Sequence, residues 1–166
     1  MPTPFSEQTR FTAPPAAVHA VLVDPAFLRA RAERSGALEH TEAVTADGDV
    51  LVVTSSRTVS TDVLPAAAAR FLGGTAVVEQ VERWEPAATD GSRRSHLTLA
   101  IKNAPVTLTA SSVLAPDGAG SVHTMDGALD VRVPLLGGQV ERAALPGLLQ
   151  LVRSESALAQ EWSAGA

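Results

Sequence analysis

Over most of the chain apolar and polar residues alternate with a period of two, and near the end the period lengthens to that of a helix. Phe5, Glu7, Thr9 and Phe11 alternate with polar neighbours, a short strand pattern. Strand-like runs recur at about 38–45, 50–58, 75–85, 95–101, 106–114 and 121–133. They are separated by Ala46-Asp47-Gly48-Asp49, Asp90-Gly91-Ser92, Asn103-Ala104-Pro105 and Pro116-Asp117-Gly118, each with the residue types that turns require. In the last strand Met125, Leu129, Val131 and Val133 share one face while Asp126, Asp130 and Arg132 take the other. Leu97, Leu99 and Ile101 oppose Thr98 in the same way, and Val106 and Leu108 oppose Thr107 and Thr109.

Four helical stretches interrupt or close this pattern. Thr12 precedes Pro14-Pro15, which suits a capping residue followed by prolines in a first turn, and predicts a helix over 16–23 with Val18, Val21 and Leu22 on its apolar side. Asp24-Pro25 repeats the device and starts a second helix through Phe27, Leu28 and Ala32, stopping near Ser35-Gly36. Residues 62–72, with Pro65 and the four alanines Ala66 to Ala69, predict a short helical turn ending at Gly73-Gly74. After Val133-Pro134-Leu135-Leu136-Gly137-Gly138, where the glycine pair is expected to turn the chain from sheet to helix, one long helical pattern runs roughly over 139–162. At ~100° per residue, Val140, Ala144, Leu148, Leu151, Val152, Leu158, Ala159 and Trp162 fall on one broad face, and Arg142, Gln150, Arg153, Gln160 and Glu161 on the other. Pro146-Gly147 lies within it, and predicts either a kink or a helix that restarts after a separate short segment.

An antiparallel sheet with one apolar face must cover that face, and the last helix is the element long enough to do so. The expected architecture is α+β, in the order β-α-α-β6-α. A curved sheet of about seven strands wraps one long C-terminal helix, and the two short helices close one end. A chain of 166 residues is most economically a single domain over 1–166, able to bury about 70% of its unfolded surface.

Composition narrows the chemistry. At 45% hydrophobic and 19% charged residues the chain is an ordinary globular one. A net charge of −5 and a single lysine, Lys102, give no basic stripe for tracking phosphates, so no nucleic-acid partner is expected. The absence of cysteine excludes disulfides, thiolate metal sites and cysteine nucleophiles. No basic start followed by an apolar run marks a signal peptide, and no stretch approaches the ~18 apolar residues of a membrane span, so the expected location is the cytoplasm. His19, His40 and His96 show no metal-ligand spacing, and GxSxG, GxGxxG and GxxxxGK[ST] are all missing. No metal and no cofactor are expected.

The ordered segments Val18-His19-Ala20-Val21-Leu22-Val23-Asp24-Pro25-Ala26-Phe27-Leu28, Thr61-Asp62-Val63-Leu64-Pro65, Glu79-Gln80-Val81-Glu82-Arg83-Trp84 and Val133-Pro134-Leu135-Leu136-Gly137-Gly138-Gln139-Val140-Glu141 resemble the START-like (SRPBCC) superfamily, which has the helix-grip fold. More narrowly they resemble an uncharacterised bacterial family within it, the domain of unknown function DUF 2505. The resemblance covers nearly the whole chain. It implies a cavity between sheet and long helix, used in relatives for hydrophobic small molecules, and it brings no catalytic residues.

Several residues stand out against the pattern. Glu155 lies in the middle of the apolar arc of the last helix, so it must find a partner, reach water or shift its pKa; it is a cavity carboxylate or half of an ion pair. Arg57 shares the parity of Leu51 and Val53 and is a candidate partner for Glu155 or for a ligand carboxylate. His123 shares the inward parity of Met125 and is either a general base or a hydrogen-bonded cavity residue. Trp84 lines the cavity or plugs its end, and Glu82 shares its parity. The expected walls are Leu97, Leu99, Leu108, Met125 and Leu129 from the sheet, with Leu148, Val152 and Glu155 from the helix.

The sequence thus points to a protein, monomeric or homodimeric, that binds or transports a small hydrophobic molecule of lipid or polyketide-like character. Two alternatives stay open: a cyclase, dehydratase or isomerase using His123 and Glu155 for proton transfer, and an interaction module whose cavity is filled by its own side chains.

Overall fold

The computed structural model describes residues 1–64 and 66–165. Strands β1 (Thr3–Phe11), β2 (Glu39–Asp47), β3 (Val50–Ser60), β4 (Thr75–Trp84), β5 (Arg93–Ile101), β6 (Val106–Asp117) and β7 (Gly120–Val131) form one antiparallel sheet in the order β1-β7-β6-β5-β4-β3-β2. From β2 to β7 the chain meanders, each strand pairing with its predecessor. β1 closes the far edge on β7, with Phe5 opposite Gly127 and Thr9 opposite His123. Helices α1 (Pro15–Leu22) and α2 (Pro25–Arg34) follow β1, a 3-10 turn (Thr61–Val63) and the short α3 (Ala66–Ala69) link β3 to β4, and α4 (Gly137–Ala164) ends the chain. Pro65 lies outside the described residues. Among the described residues no helix is long and apolar enough to cross a membrane.

Local chemistry accounts for most boundaries. Asp24 caps α2, its carboxylate accepting from the Ala26 amide at 2.9 Å. Contrary to the sequence expectation, Thr12 does not cap α1. Pro14 occupies the cap position without a side-chain bond, and Thr12 instead bonds Gln160 of α4 twice, donating its amide to Oε1 and accepting at Oγ1 from Nε2. Gly137-Gly138 are not a bend either. They are the first residues of α4, and the turn before them falls on Leu135, which takes a positive φ of 66°. Gly137 is needed because a Cβ there would sit 2.1 Å from the Val131 carbonyl oxygen, so a side chain would push the helix off the sheet. Nor does α4 restart at Pro146: it runs unbroken through the proline from Gly137 to Ala164.

The core divides in two. One cluster, under α1 and α2, gathers Phe11, Val18, Phe27, Leu28, Val53, Trp84 and Leu114 against Leu158 and Ala159 of α4. The other gathers Phe5, Leu108, Ala110, Leu129 and Val131 against Val140 at the opposite end of that helix. The helix is therefore buried at both ends, while Leu148, Leu151, Val152 and Glu155 in its middle are half-buried. A second anchor fixes the first turn. The carboxylate of Glu141, 1% exposed, accepts from the Val131 amide at 2.8 Å and from Thr3 Oγ1 at 2.6 Å. Between the two anchored ends the helix stands away from the sheet.

Two glycine substitutions should separate close packing from backbone freedom. A Cβ at Gly127 would lie 2.5 Å from the Thr109 carbonyl oxygen and 2.7 Å from the Phe5 ring, so Gly127→Ala is expected to destabilise the fold by about 1–3 kcal/mol. Gly147 has nothing within 4 Å of that position, so Gly147→Ala should stabilise α4 by about 0.5–1 kcal/mol. Urea unfolding of both variants against the parent chain measures the two signs.

Candidate functional site

The space beneath the middle of α4 is a partly enclosed cavity of about 90 Å³, lined by side chains from β1, β3, β4, β5, β6, β7, α1, α2 and α4. One water needs about 10–15 Å³, so the void has room for several. Ten of the eleven side chains that the sequence nominates border it: Arg57, Trp84, Leu97, Leu99, Leu108, His123, Met125, Leu148, Val152 and Glu155. Leu129 does not. It points to the same side of the sheet, but it is 6% exposed and packed into the cluster with Phe5 and Val140, where the anchored first turns of α4 leave no gap.

The cavity has an apolar side and a polar side. Leu97, Leu99, Leu108, Met125, Leu148 and Val152 form the first. The second is built on the inward positions of β3 and β4, where Arg57, Gln80 and Glu82 follow the period of two that makes neighbouring strands apolar. Arg57, 5% exposed, donates from Nη1 to Glu155 Oε1 at 3.0 Å, from Nη2 to Gln80 Oε1 at 3.2 Å and from Nη1 to Ser35 Oγ at 3.5 Å. Glu155, misplaced on its apolar helix face, is thereby paired across the cavity. Its second oxygen lies 3.8 Å from Nη1 of Arg31, a residue of α2 that is itself buried. Sequence reasoning missed Arg31, since an arginine on a short, strongly charged helix ordinarily faces solvent. The signal that was present is its spacing of three and four residues from Leu28 and Phe27, the helix's buried face.

Glu82 sits deeper in the same wall. Burial pushes its carboxyl pKa up, opposed by the hydrogen bond that Ser95 Oγ donates at 2.9 Å and by the charge of Arg31. Ser95 in turn shares a 2.6 Å hydrogen bond with Ser112. The indole N–H of Trp84 approaches the Glu82 carboxyl without completing a hydrogen bond. Trp84, 1% exposed, plugs the end of the cavity and borders it at once. His19 meets its ring edge-on with centroids 5.1 Å apart, and His123 stacks at 6.2 Å and 28°. Nε2 of each histidine has no protein partner among the described residues.

These two histidines are held neutral. Burial lowers the His123 pKa to about 4; burial and then the nearby charge of Arg93 lower that of His19 to about 4 as well. Between the unfolded value of 6.5 and about 4, the unfolded chain binds protons that the folded one refuses. Both histidines therefore contribute stability that is present above pH 6.5 and lost as the pH falls toward 4. The raised Glu82 works in the opposite sense, favouring the fold at lower pH and costing stability as the pH rises through its folded pKa. His123→Phe should flatten the acid side of the stability profile, read as urea midpoints between about pH 7 and pH 4. In the parent chain the imidazole carbon-bound proton resonances of His19 and His123 should stay still over roughly pH 8 to 5.5.

Comparison with known proteins places this architecture. The family described as "Protein of unknown function (DUF2505)" matches residues 6–162. An uncharacterized protein of Mycobacterium tuberculosis is 32% identical over 118 residues, which cover 70% of this chain and 67% of that one. Among solved structures, a protein of Thermus thermophilus, TTHA0849, superposes with a TM-score of 0.61 at 15% identity, covering 98% of each chain. A norcoclaurine synthase point mutant of Thalictrum flavumn, solved with a transition-state analogue, superposes with a TM-score of 0.53 at 14% identity, covering 97% of this chain and 96% of that one. At such identities the structures share the fold, a seven-stranded antiparallel sheet gripping a long C-terminal helix, and it is the START-like one that the sequence resembles. With the family model spanning nearly its whole length, the chain belongs to the DUF2505 family.

Proposed function

We propose that this protein binds a small, largely apolar molecule in the cavity between its sheet and α4. The observation that carries the reading is the void itself: the middle of a clamped amphipathic helix is held off an apolar sheet face, leaving about 90 Å³ bordered by Leu97, Leu99, Leu108, Met125, Leu148 and Val152. A concave apolar site with a few convergent polar groups is the usual form of a small-molecule pocket. The void also argues against a cavity filled by its own side chains, since interiors ordinarily close such spaces. Norcoclaurine synthase, of the same fold, was solved with a small molecule, which supports the assignment by analogy of fold alone.

Proton-transfer chemistry on His123 and Glu155 receives less support. Glu155 is engaged by arginines and His123 by Trp84, and among the described residues no hydrogen bond joins the two. The proposed occupant is thus bound rather than transformed.

Filling the void tests the reading. With benzene, a neutral apolar probe nearer the size of the void, the parent chain should show saturable one-to-one binding by isothermal titration. Leu99→Trp and Met125→Trp, each placing an indole in the cavity, should weaken it by roughly tenfold or more, a change of about 1.4 kcal/mol. Equal binding by parent and both variants, or no saturable binding by the parent, would overturn the proposal.

A further inference from the structure

The polar side of the cavity is unevenly matched. Two guanidinium groups, Arg31 and Arg57, face the single carboxylate of Glu155, and they are not served equally. Arg57 makes hydrogen bonds to Glu155, Gln80 and Ser35. Arg31, 7% exposed, makes no side-chain hydrogen bond among the described residues: its Nη1 stops 3.8 Å from Glu155 Oε2, and its Nε is buried without a partner. A guanidinium carries five N–H donors in a planar fork, and leaving even one dry and unpaired inside a protein is costly. Arg31 borders the cavity, so a group inside the cavity can reach its unpaired donors. The other acid on that wall, Glu82, already accepts from Ser95, and burial shifts it toward the uncharged form, which sharpens the cationic surplus.

We propose that the ligand of this cavity is an apolar molecule bearing a carboxylate, and that the carboxylate docks on Arg31 in place of Glu155, with Arg57 beside it. This rests on the cavity being a binding site. A carboxylate matches the fork geometry of arginine with two parallel hydrogen bonds, which a hydroxyl cannot make and an ammonium would oppose. The apolar body then lies along Leu97, Leu99 and Val152. Glu155 acts as the built-in competitor: in the empty cavity its carboxylate is the nearest counter-charge available to Arg31, and the incoming group takes the position that Glu155 reaches only at 3.8 Å.

The experiment compares three probes of one chain length at about pH 7, octanoate, 1-octanol and octylammonium, by isothermal titration with the full chain. Octanoate should bind more tightly than octanol by roughly ten- to a hundredfold, the range expected of a charge-assisted pair inside a protein, and octylammonium more weakly than either. In Arg31→Met the preference for octanoate over octanol should disappear. In Glu155→Gln, which removes the internal competitor, the preference should grow, and this second variant keeps the test decisive if Arg31→Met does not fold. Octanoate and octanol binding alike in both the parent chain and Glu155→Gln would overturn the carboxylate proposal and leave the apolar site standing. Failure of all three probes to bind would remove both.

Discussion

The clamping of α4 at its two ends is the constraint on which the cavity depends. At one end the buried Glu141 carboxylate is satisfied by the Val131 amide and the Thr3 hydroxyl, tying the first turn to β7 and β1 together. At the other, Leu158 and Ala159 pack under α1 and α2 while Gln160 bonds Thr12 twice. A helix held at both ends over a curved sheet touches the sheet where the curve rises and spans it where the curve falls away. The span in the middle is where Leu148, Val152 and Glu155 are half-buried. Glu7, on the cavity side of β1, links to the helix middle, its carboxylate accepting two hydrogen bonds from Arg153, at 3.0 and 3.1 Å. That pair is largely exposed on the arginine side and contributes little to stability.

Much of the fold was legible in the sequence because its signals are local. Period-two alternation located all seven strands, and Asp24-Pro25 marked the start of α2. The inward parity of 97, 99, 108, 123 and 125 placed those side chains on the wall of the cavity. The misplacement of Glu155 on its helix face called for a partner, water or a shifted pKa, and strand parity made Arg57 one candidate for the partner, which is the one the fold supplies.

What the sequence hid depends on contacts between distant segments. Leu129 has the same parity as Met125, but whether an inward side chain meets a void or a neighbour is decided by the height of α4 above it, which no strand pattern encodes. Gly137 resembled a bend because glycine commonly makes one, whereas its necessity comes from the Val131 carbonyl pressed against its α-carbon. Thr12 resembled a helix cap, but its partner is Gln160, 148 residues away. Arg31 was overlooked although it shares the face of Phe27 and Leu28, because only the docking of α2 decides that a nominally surface arginine is buried.

The position of Trp84 has an optical consequence. The chain has no tyrosine and two tryptophans, so its ultraviolet emission comes from two indoles. Trp162 sits edge-on to Phe27, packed against the core under α2 and away from the cavity lining, while Trp84 forms the floor of the cavity between two imidazoles that stay uncharged at neutral pH. Anything that enters the cavity changes the surroundings of one chromophore and leaves those of the other in place. The protein thus carries an unlabelled gauge of its own occupancy, with an internal reference a short distance along the same fold.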